Sequence, residues 1–396
     1  MKIGILVDEI APGSAPKILG QTVQGLSSLG HSCEALVIVE RDYYKEFSEI
    51  YNFHLKGVKI RYLLNEVSNF LKVFKKIDFK FPGFSFFSIH HILSFLLAPN
   101  VIKNREYDII IAHCQYSTFA ARSLKKFRKI PYLLLVWDPS PYTLKKIYSK
   151  TWLRIFYPFL YVAALLLDKF AISGAEALIT SGKLHHKRFR KISNKPLEDL
   201  YPGCFPNKEF IPYAKREKAI LTYDRWDIGN KPHIFLDLLE NIDQDIKLKI
   251  GGFWHPEGIK YDFLKEIKTR NLETRIELLG PLDEKRILEV CSQVMLHVHP
   301  NEEAFGMQTL EAAGCGCCII IPRGSGVTDL FAHGVHGYFP EKGNFQELLK
   351  YVKLVFSNIN NSEKMGRRAW EIAGNYTWSG YIKRLKEIIG RYVDED

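Results

Sequence analysis

Short apolar runs alternate with amphipathic stretches from the first residues of this chain. KIGILV (2–7) is closed by the Pro/Gly-rich APGSAP (11–16), ILGQTVQGLSSLG (18–30) carries apolar residues at helical spacing, and EALVIV (34–39) is a second run. Short apolar runs bounded by turn residues and separated by a helical pattern predict strand–helix–strand units, the seed of a parallel sheet. YDIIIAHC (107–114), a helical stretch at 117–128 and PYLLLVWD (131–138) repeat the pattern. A fresh alternation then begins. It predicts strands at KAILTYD (218–224), KLKIGG (247–252), RIELLG (275–280), VMLHVHP (294–300) and CCIIIP (317–322), with helices near 232–241, 261–270, 283–292 and 306–314 between them. The stretch NKPLEDLYPGCFPNKEF (194–210), with three prolines and one glycine, reads as the linker. The expected fold class is therefore α/β, with two doubly wound domains facing one another. Open α/β sheets bind ligands at the carboxyl ends of their strands, so a cleft there is the default site.

Length agrees with two domains, because 396 residues exceed what one ordinary core holds. Hydrophobic residues at 46% and charged residues at 25% exclude collagen-like, coiled-coil and wholly disordered chains. No apolar run reaches the roughly 18 residues of a membrane-spanning helix. The longest, Ile155 to Leu167, has 13 residues, contains Pro158 and lies between Arg154 and Asp168. Asp8 and Glu9 interrupt the N-terminal run too early for a signal peptide. Seven cysteines without a regular framework, and no second Cys/His pair near Cys315, Cys317 and Cys318, argue against both disulfides and a metal site. These features predict a cytoplasmic protein.

Charge separates the two halves. Residues 1–200 hold 29 Lys+Arg against 16 Asp+Glu, whereas 201–396 hold 26 against 28. One basic half implies a partner with fixed negative charge on that side. The basic residues are interleaved with large apolar ones in 72–97 and 145–167. Three readings fit: buried helices with a solvated basic edge, an anionic membrane surface, or nucleic acid. Basic residues beside aromatics stack bases, but long apolar faces flanked by Lys and Arg suit a lipid interface better. No nucleic-acid motif is present. The expectation is an anionic membrane surface contacted through 72–97 and 145–167, and no nucleic acid.

The most informative segment is HPNEEAFGMQTLEAAGCG (299–316). Gly306 removes side-chain bulk where a helix opens, so the free N–H groups of its first turn can meet an anion closely. A diphosphate docked there would use the helix dipole and the unpaired donors together. Glu303, before the helix, would face whatever the diphosphate carries, and Glu311 would accept hydrogen bonds from neighbouring hydroxyls. His113 and Asp138 end apolar strands in the first half. His90/His91, His185/His186 and His297/His299 lack an evident carboxylate constellation, and none is read as a metal site.

This segment resembles the E-x7-E signature of the retaining GT-B glycosyltransferases of the family-4 type, with Glu303-Ala304-Phe305-Gly306 in place of the usual EGFG and Leu310-Glu311-Ala312-Ala313-Gly314-Cys315-Gly316 matching the pattern after it. LTYDRWDIGNKPH resembles the strand-end motif in which an Arg and a Lys, here Arg225 and Lys231, hold the donor diphosphate. Gly251 and the segment Ile276 to Leu282 are further matches, Gly13-Ser14 stands where the family has a Gly-Gly loop, and Tyr376-Thr377-Trp378 resembles the segment before a terminal helix that crosses back. The resemblance implies two Rossmann-like domains. Residues 1–207 would bind acceptor, 208–375 would bind donor, and 376–396 would form the returning helix. It further implies a nucleotide diphosphate sugar as donor, held by Arg225, Lys231, Gly251, Leu282, Phe305, Gly306, Met307, Leu310 and Glu311. Glu303, His113 and Asp138 would act at the sugar or acceptor. The implied transfer retains anomeric configuration without a covalent enzyme nucleophile, a cofactor or a metal. With the basic first half, it predicts a lipid-linked glycan or glycolipid precursor as acceptor at the cytosolic membrane face. A soluble sugar acceptor and a catalytically silent membrane scaffold are the alternatives.

Overall fold

Strands of a parallel sheet are covered by helices on both faces, so they must be apolar on both sides. The apolar runs meet that demand. The computed structural model describes residues 1–10, 13–40, 53–66, 80–81, 84–148, 152–227, 229–230, 232–255 and 257–393. The chain forms two compact units, Met1–Tyr201 with Tyr381–Asp396, and Pro202–Gly380.

The first unit is built on seven strands: β1 (Lys2–Val7), β2 (Ser32–Val37), β3 (Ile60–Tyr62), β4 (Ile109–His113), β5 (Tyr132–Val136), β6 (Leu178–Thr180) and β7 (Leu197–Asp199). They lie in the order β3-β2-β1-β4-β5-β6-β7, every pair parallel. The order reverses between β1 and β4, which places an open crevice at their carboxyl ends. Leu6, Leu36, Ile110 and Leu134 of the strands and Ala120 and Leu124 of helix Cys114–Arg128 are buried in one core.

The second unit repeats the plan with β8 (Glu217–Trp226), β9 (Lys247–Trp254), β10 (Ile276–Gly280), β11 (Val294–Val298), β12 (Cys318–Ile320) and β13 (Gly337–Tyr338). Their order is β10-β9-β8-β11-β12-β13, again all parallel, with the reversal between β8 and β11. Ile220, Leu248, Ile250 and Leu296 meet Phe235 and Phe263 of the covering helices in its core. Two doubly wound parallel sheets are thus the observed fold class.

Two sequence expectations are corrected. The stretch expected to be linker contains β7, because Leu197, Glu198 and Asp199 pair in register with Leu178, Ile179 and Thr180. A three-residue edge strand leaves too little periodicity to be read from sequence. The second correction concerns the limit of 13 apolar residues. A 3-10 turn, Trp152–Phe156, leads directly into helix Tyr157–Gly174, and the 21 residues Arg154–Gly174 are together long and apolar enough, by length and composition, to cross a membrane. Pro158 sits in the first turn of helix Tyr157–Gly174, where its missing N–H has no intrahelical acceptor to lose. Asp168 is fully buried and accepts hydrogen bonds from the Ser140 backbone N–H (2.8 Å) and Oγ (2.6 Å), so it faces inward and does not interrupt the outer face. Burial pushes its carboxyl up to about 6, with Ser140 acting against the shift.

Helix Tyr157–Gly174 therefore has two faces. Ala164, Asp168, Ala171 and Ile172 are buried, while Phe159, Val162 and Leu166, with Ile155 of the preceding 3-10 turn, are exposed by 54–78% and form an outward stripe. Residues 72–79 and 82–83 of the other apolar–basic stretch lie outside the described residues. Its last part enters helix Ile89–Val101, with His90, His91 and Leu97 buried and Ile92 and Leu96 exposed. Helix Trp378–Gly390 brings the chain back to the first unit. There Ile382 packs where a Cβ on Gly25 would sit, and Tyr381 Oη meets Thr22 Oγ1 at 3.3 Å.

Candidate active site

In the second unit the chemistry gathers at the carboxyl ends of β8, β9 and β11. Arg225 is the penultimate residue of strand β8, and its Nε donates to Asp227 Oδ2 at 2.8 Å. Asp227 Oδ1 in turn accepts the backbone N–H groups of Gly229 (2.7 Å) and Asn230 (3.0 Å), which shapes the loop. Lys231 lies outside the described residues. On β9, a Cβ on Gly251 would come 2.4 Å from Leu282 Cδ1, so these two predicted residues pack directly on each other. Its neighbour Gly252 adopts φ +106°, and a Cβ there would lie 1.9 Å from the backbone oxygen of Asp224. Only glycine permits that approach of β9 to β8.

After β11 the chain runs through the predicted motif into helix Met307–Gly314. Gly306 stands at the cap position in the left-handed region at φ +98° and contributes no side-chain cap of its own. The first intrahelical bonds to Gly306 O come from Thr309 (3.2 Å) and Leu310 (3.3 Å), leaving the N–H groups of Met307 and Gln308 ahead of them. Phe305, Met307 and Leu310 are buried and anchor the helix start, and Val327 N–H donates to Phe305 O at 2.7 Å. Glu303 is held by its backbone N–H, which donates to Ser325 Oγ at 3.1 Å, while its side chain is one-quarter exposed. Glu311 is almost buried, and Tyr223 Oη donates to its Oε2 at 2.9 Å. Burial and the charge of Glu311 hold the Tyr223 phenol well above its usual range. A fixed carboxylate beside a bare helix N-terminus can take hydroxyls and an anion side by side.

His299 corrects the expectation that the histidine pairs lack carboxylates. Its Nε2 lies 3.2 Å from Asp224 Oδ2 and 4.0 Å from Glu303 Oε1, and its Nδ1 lies 2.9 Å from Asn301 O. Both ring nitrogens therefore face acceptors, which is the pattern of an imidazolium. Burial alone would lower its pKa, but the Asp224 bond and the Glu303 charge outweigh burial and raise it to about 9. His297, fully buried and next to that charge, is pushed down to about 3. Asp224, His299 and Glu303 are close enough to surround an ion, with ligand atoms within 4.8 Å of one another. A ligating imidazole nitrogen is neutral, so an ion there would have to displace the proton that the two carboxylates favour. Sequence reasoning missed Asp224 because it stands 75 residues from His299. The legible hint was its place beside Arg225 at a strand end.

In the first unit the predicted residues again sit at strand ends. Gly13, at φ +134°, and Ser14 are exposed ahead of helix Ala15–Ser28. His113 ends β4 and is 5% exposed, and its Nε2 has no hydrogen-bond partner among the described residues. Burial lowers its pKa to about 4, with Asp8 pulling the other way. Cys114, next in the chain, takes φ +61°, a conformation uncommon outside glycine, and so turns strand into helix abruptly. Asp138 is tied into an ion pair with Arg188, and His185 Nε2 lies 3.4 Å away. These partners outweigh burial and hold its carboxyl below the usual range. The other histidines also have carboxylates nearby, His91 with Asp8 at 3.6 Å and His186 with Asp199 at 3.1 Å. All seven cysteines are free thiols.

Residues 207–371 match the family described as Glycosyl transferases group 1. Over 381 residues the chain is 22% identical to the GPI3 subunit of phosphatidylinositol N-acetylglucosaminyltransferase from Saccharomyces cerevisiae (strain YJM789), spanning 92% of this chain and 77% of that protein. Over 128 residues it is 31% identical to N-acetyl-alpha-D-glucosaminyl L-malate synthase of Bacillus anthracis, about a third (32%) of each chain. Its fold superposes on Anabaena Alr3699/HepE in complex with UDP and glucose with a TM-score of 0.74, at 15% identity and over 99% of this chain and 100% of the other. The family match thus lies within the second unit, and the chain as a whole has the fold of the GT-B glycosyltransferases.

Proposed function

We propose that this protein transfers a sugar from a nucleotide diphosphate sugar to a lipid-linked glycan or glycolipid precursor, with retention at the anomeric carbon. The observation that carries this reading is the uncapped helix N-terminus at Gly306, flanked in sequence by Glu303 and by a Glu311 carboxylate that Tyr223 holds in place. The departing nucleoside diphosphate gains negative charge as the glycosidic bond breaks, and the N–H groups of Met307 and Gln308 with Arg225 and Lys231 offset it. Glu311 accepts the ribose hydroxyls. Glu303 faces the sugar and stabilises positive character at its ring. His113, whose buried Nε2 has no hydrogen-bond partner among the described residues, acts at the sugar or the acceptor in this reading. The leaving phosphate takes the acceptor's proton on the same face, so no covalent sugar–enzyme bond forms.

The reaction proposed here requires no metal, because cationic side chains and a helix dipole supply the charge that a divalent ion would. The complex of HepE with UDP and glucose supports a nucleotide sugar as donor. The name of the yeast relative, with the exposed apolar stripe on helix Tyr157–Gly174, supports a lipid acceptor at a membrane surface.

A thermal-shift screen against UDP, GDP, ADP and their common sugar conjugates tests the donor half. One nucleotide class should raise Tm by mass action, and Arg225→Ala and Glu311→Ala should abolish the rise. No stabilisation by any nucleotide would overturn the reading. Product NMR reads retention directly, and turnover that survives EDTA is the expected result for the metal.

A further inference from the structure

A cavity of about 780 Å³ opens in the first unit between helices Ser140–Tyr148, Tyr157–Gly174 and the end of Lys183–Arg190. Among the described residues, Lys145, Lys169, Arg188, Arg190 and Lys191 line it, and no carboxylate does. Arg188 is paired with Asp138 and lies 3.8 Å over the Tyr142 ring, another lining residue. Among the described residues, no salt bridge engages Lys145, Lys169, Arg190 or Lys191. Four cations without counter-ions around one hollow repel one another, and an anion there relieves that repulsion.

The neighbouring surface says what carries the anion. On helix Tyr157–Gly174, residues Tyr161, Leu165 and Lys169 recur every four positions and form the cavity wall. At about 100° per residue, the outward stripe of Phe159, Val162 and Leu166 lies roughly a quarter turn from that wall. The buried face lies on the other side. One helix thus presents, in order, a face packed into the unit, a polar wall rich in tyrosine and lysine, and a bare apolar stripe. A soluble phosphate compound accounts for the cations and leaves the stripe unexplained. A lipid accounts for both, with its charged headgroup in the hollow and its chains along the stripe.

We infer that this cavity binds the phosphate-bearing headgroup of a membrane lipid whose acyl chains lie along Phe159, Val162 and Leu166. Calling that lipid the acceptor rests on the function proposed above; the binding itself does not.

Full-length protein is sedimented with vesicles of phosphatidylcholine alone and with vesicles that also contain phosphatidylinositol. The triple variant Lys169→Glu, Arg190→Glu, Lys191→Glu should lose at least about tenfold in apparent affinity for the anionic vesicles, at about 1 kcal/mol per basic residue near the surface. The same charge change at Lys350, Lys353 and Lys364, exposed on the second unit, should leave binding unchanged. Phe159→Asp with Leu166→Asp should also abolish vesicle binding, and nucleotide-dependent thermal shifts should persist in every variant. Equal vesicle binding by wild type and the cavity variant would overturn the inference. So would binding that survives Phe159→Asp/Leu166→Asp but is competed away by inorganic phosphate, which would mark a soluble-anion site. Cavity-dependent vesicle binding in a protein that no nucleotide stabilises would support the lipid site while sinking the donor reading, so the two failures are distinguishable.

Discussion

His299 is charged in a place where burial opposes charge, and this gives stability a pH signature. Its folded-state value, about 9, lies above the ordinary 6.5, so its contribution is complete below pH 6.5 and is lost as pH rises through 9. His297 and His113, lowered to about 3 and about 4, act in the opposite sense. They remain neutral while the unfolded chain takes up protons, so stability falls as pH drops from 6.5 towards 4. His299→Gln should therefore flatten the alkaline limb of a stability–pH profile measured by urea unfolding and keep most of the acid limb. Identical slopes above pH 7 in both proteins would show that the Asp224–His299 pair carries no net charge coupling. Tyr223→Phe tests a finer point. It leaves the Glu311 carboxylate in place without its 2.9 Å donor, and should weaken nucleotide binding by about tenfold, the worth of one hydrogen bond to a charged group.

At the scale of elements, two glycines fix how strand ends meet the helix that opens at Gly306. A Cβ at Gly306 would lie 3.0 Å from Ile321 Cδ1 and 3.2 Å from Val327 Cγ1, side-chain atoms that can yield. Gly306→Ala should thus cost about 1–2 kcal/mol, mainly for holding a left-handed φ. At Gly252 the obstacle is the backbone oxygen of Asp224 at 1.9 Å, which cannot yield without moving β8. Gly252→Ala should be the more destabilising of the two and should also displace Arg225. Thermal denaturation of both variants gives the order, and the reverse order would mean that the β8–β9 contact is looser than the glycine geometry requires. The strand–helix alternation was legible here because apolar runs bounded by turn residues have few alternatives. Helix Tyr157–Gly174 was not fully legible, since Pro158 and Asp168 look like interruptions until their partners are known.

The whole chain combines a strongly basic first 200 residues with a near-neutral remainder. Association with anionic vesicles should weaken as salt approaches about 1 M, where the screening length falls to roughly 3 Å. A residual part should survive because apolar burial on Phe159 and Leu166 is not screened. Complete loss at high salt would assign binding to charge alone. The returning helix supplies the other prediction at this scale. Leu385, Ile388 and Ile389 are fully buried, and Glu198 binds Arg391 at 2.7 Å and Arg384 at 3.3 Å. Each such side chain is worth roughly 1.5–3 kcal/mol of burial, so truncation after Gly380 removes an amount comparable to a domain's whole stability. Calorimetry should show the first unit's transition lost or strongly lowered, and an unchanged transition would make the helix dispensable.

The sequence by itself determined the fold class, the order of most strands and helices, and the Glu303–Glu311 segment with its helix-opening Gly306. All of these depend on residues near one another in the chain, where periodicity and spacing act directly. Tertiary structure alone decided the rest. It paired Asp224 with His299 across 75 residues, seated Leu282 on Gly251, and turned Asp168 inward to Ser140 so that one apolar stripe stayed outside. It also assembled cations from three helices around one hollow. Charge, burial and close approach depend on distance in space, and a sequence records only distance along the chain.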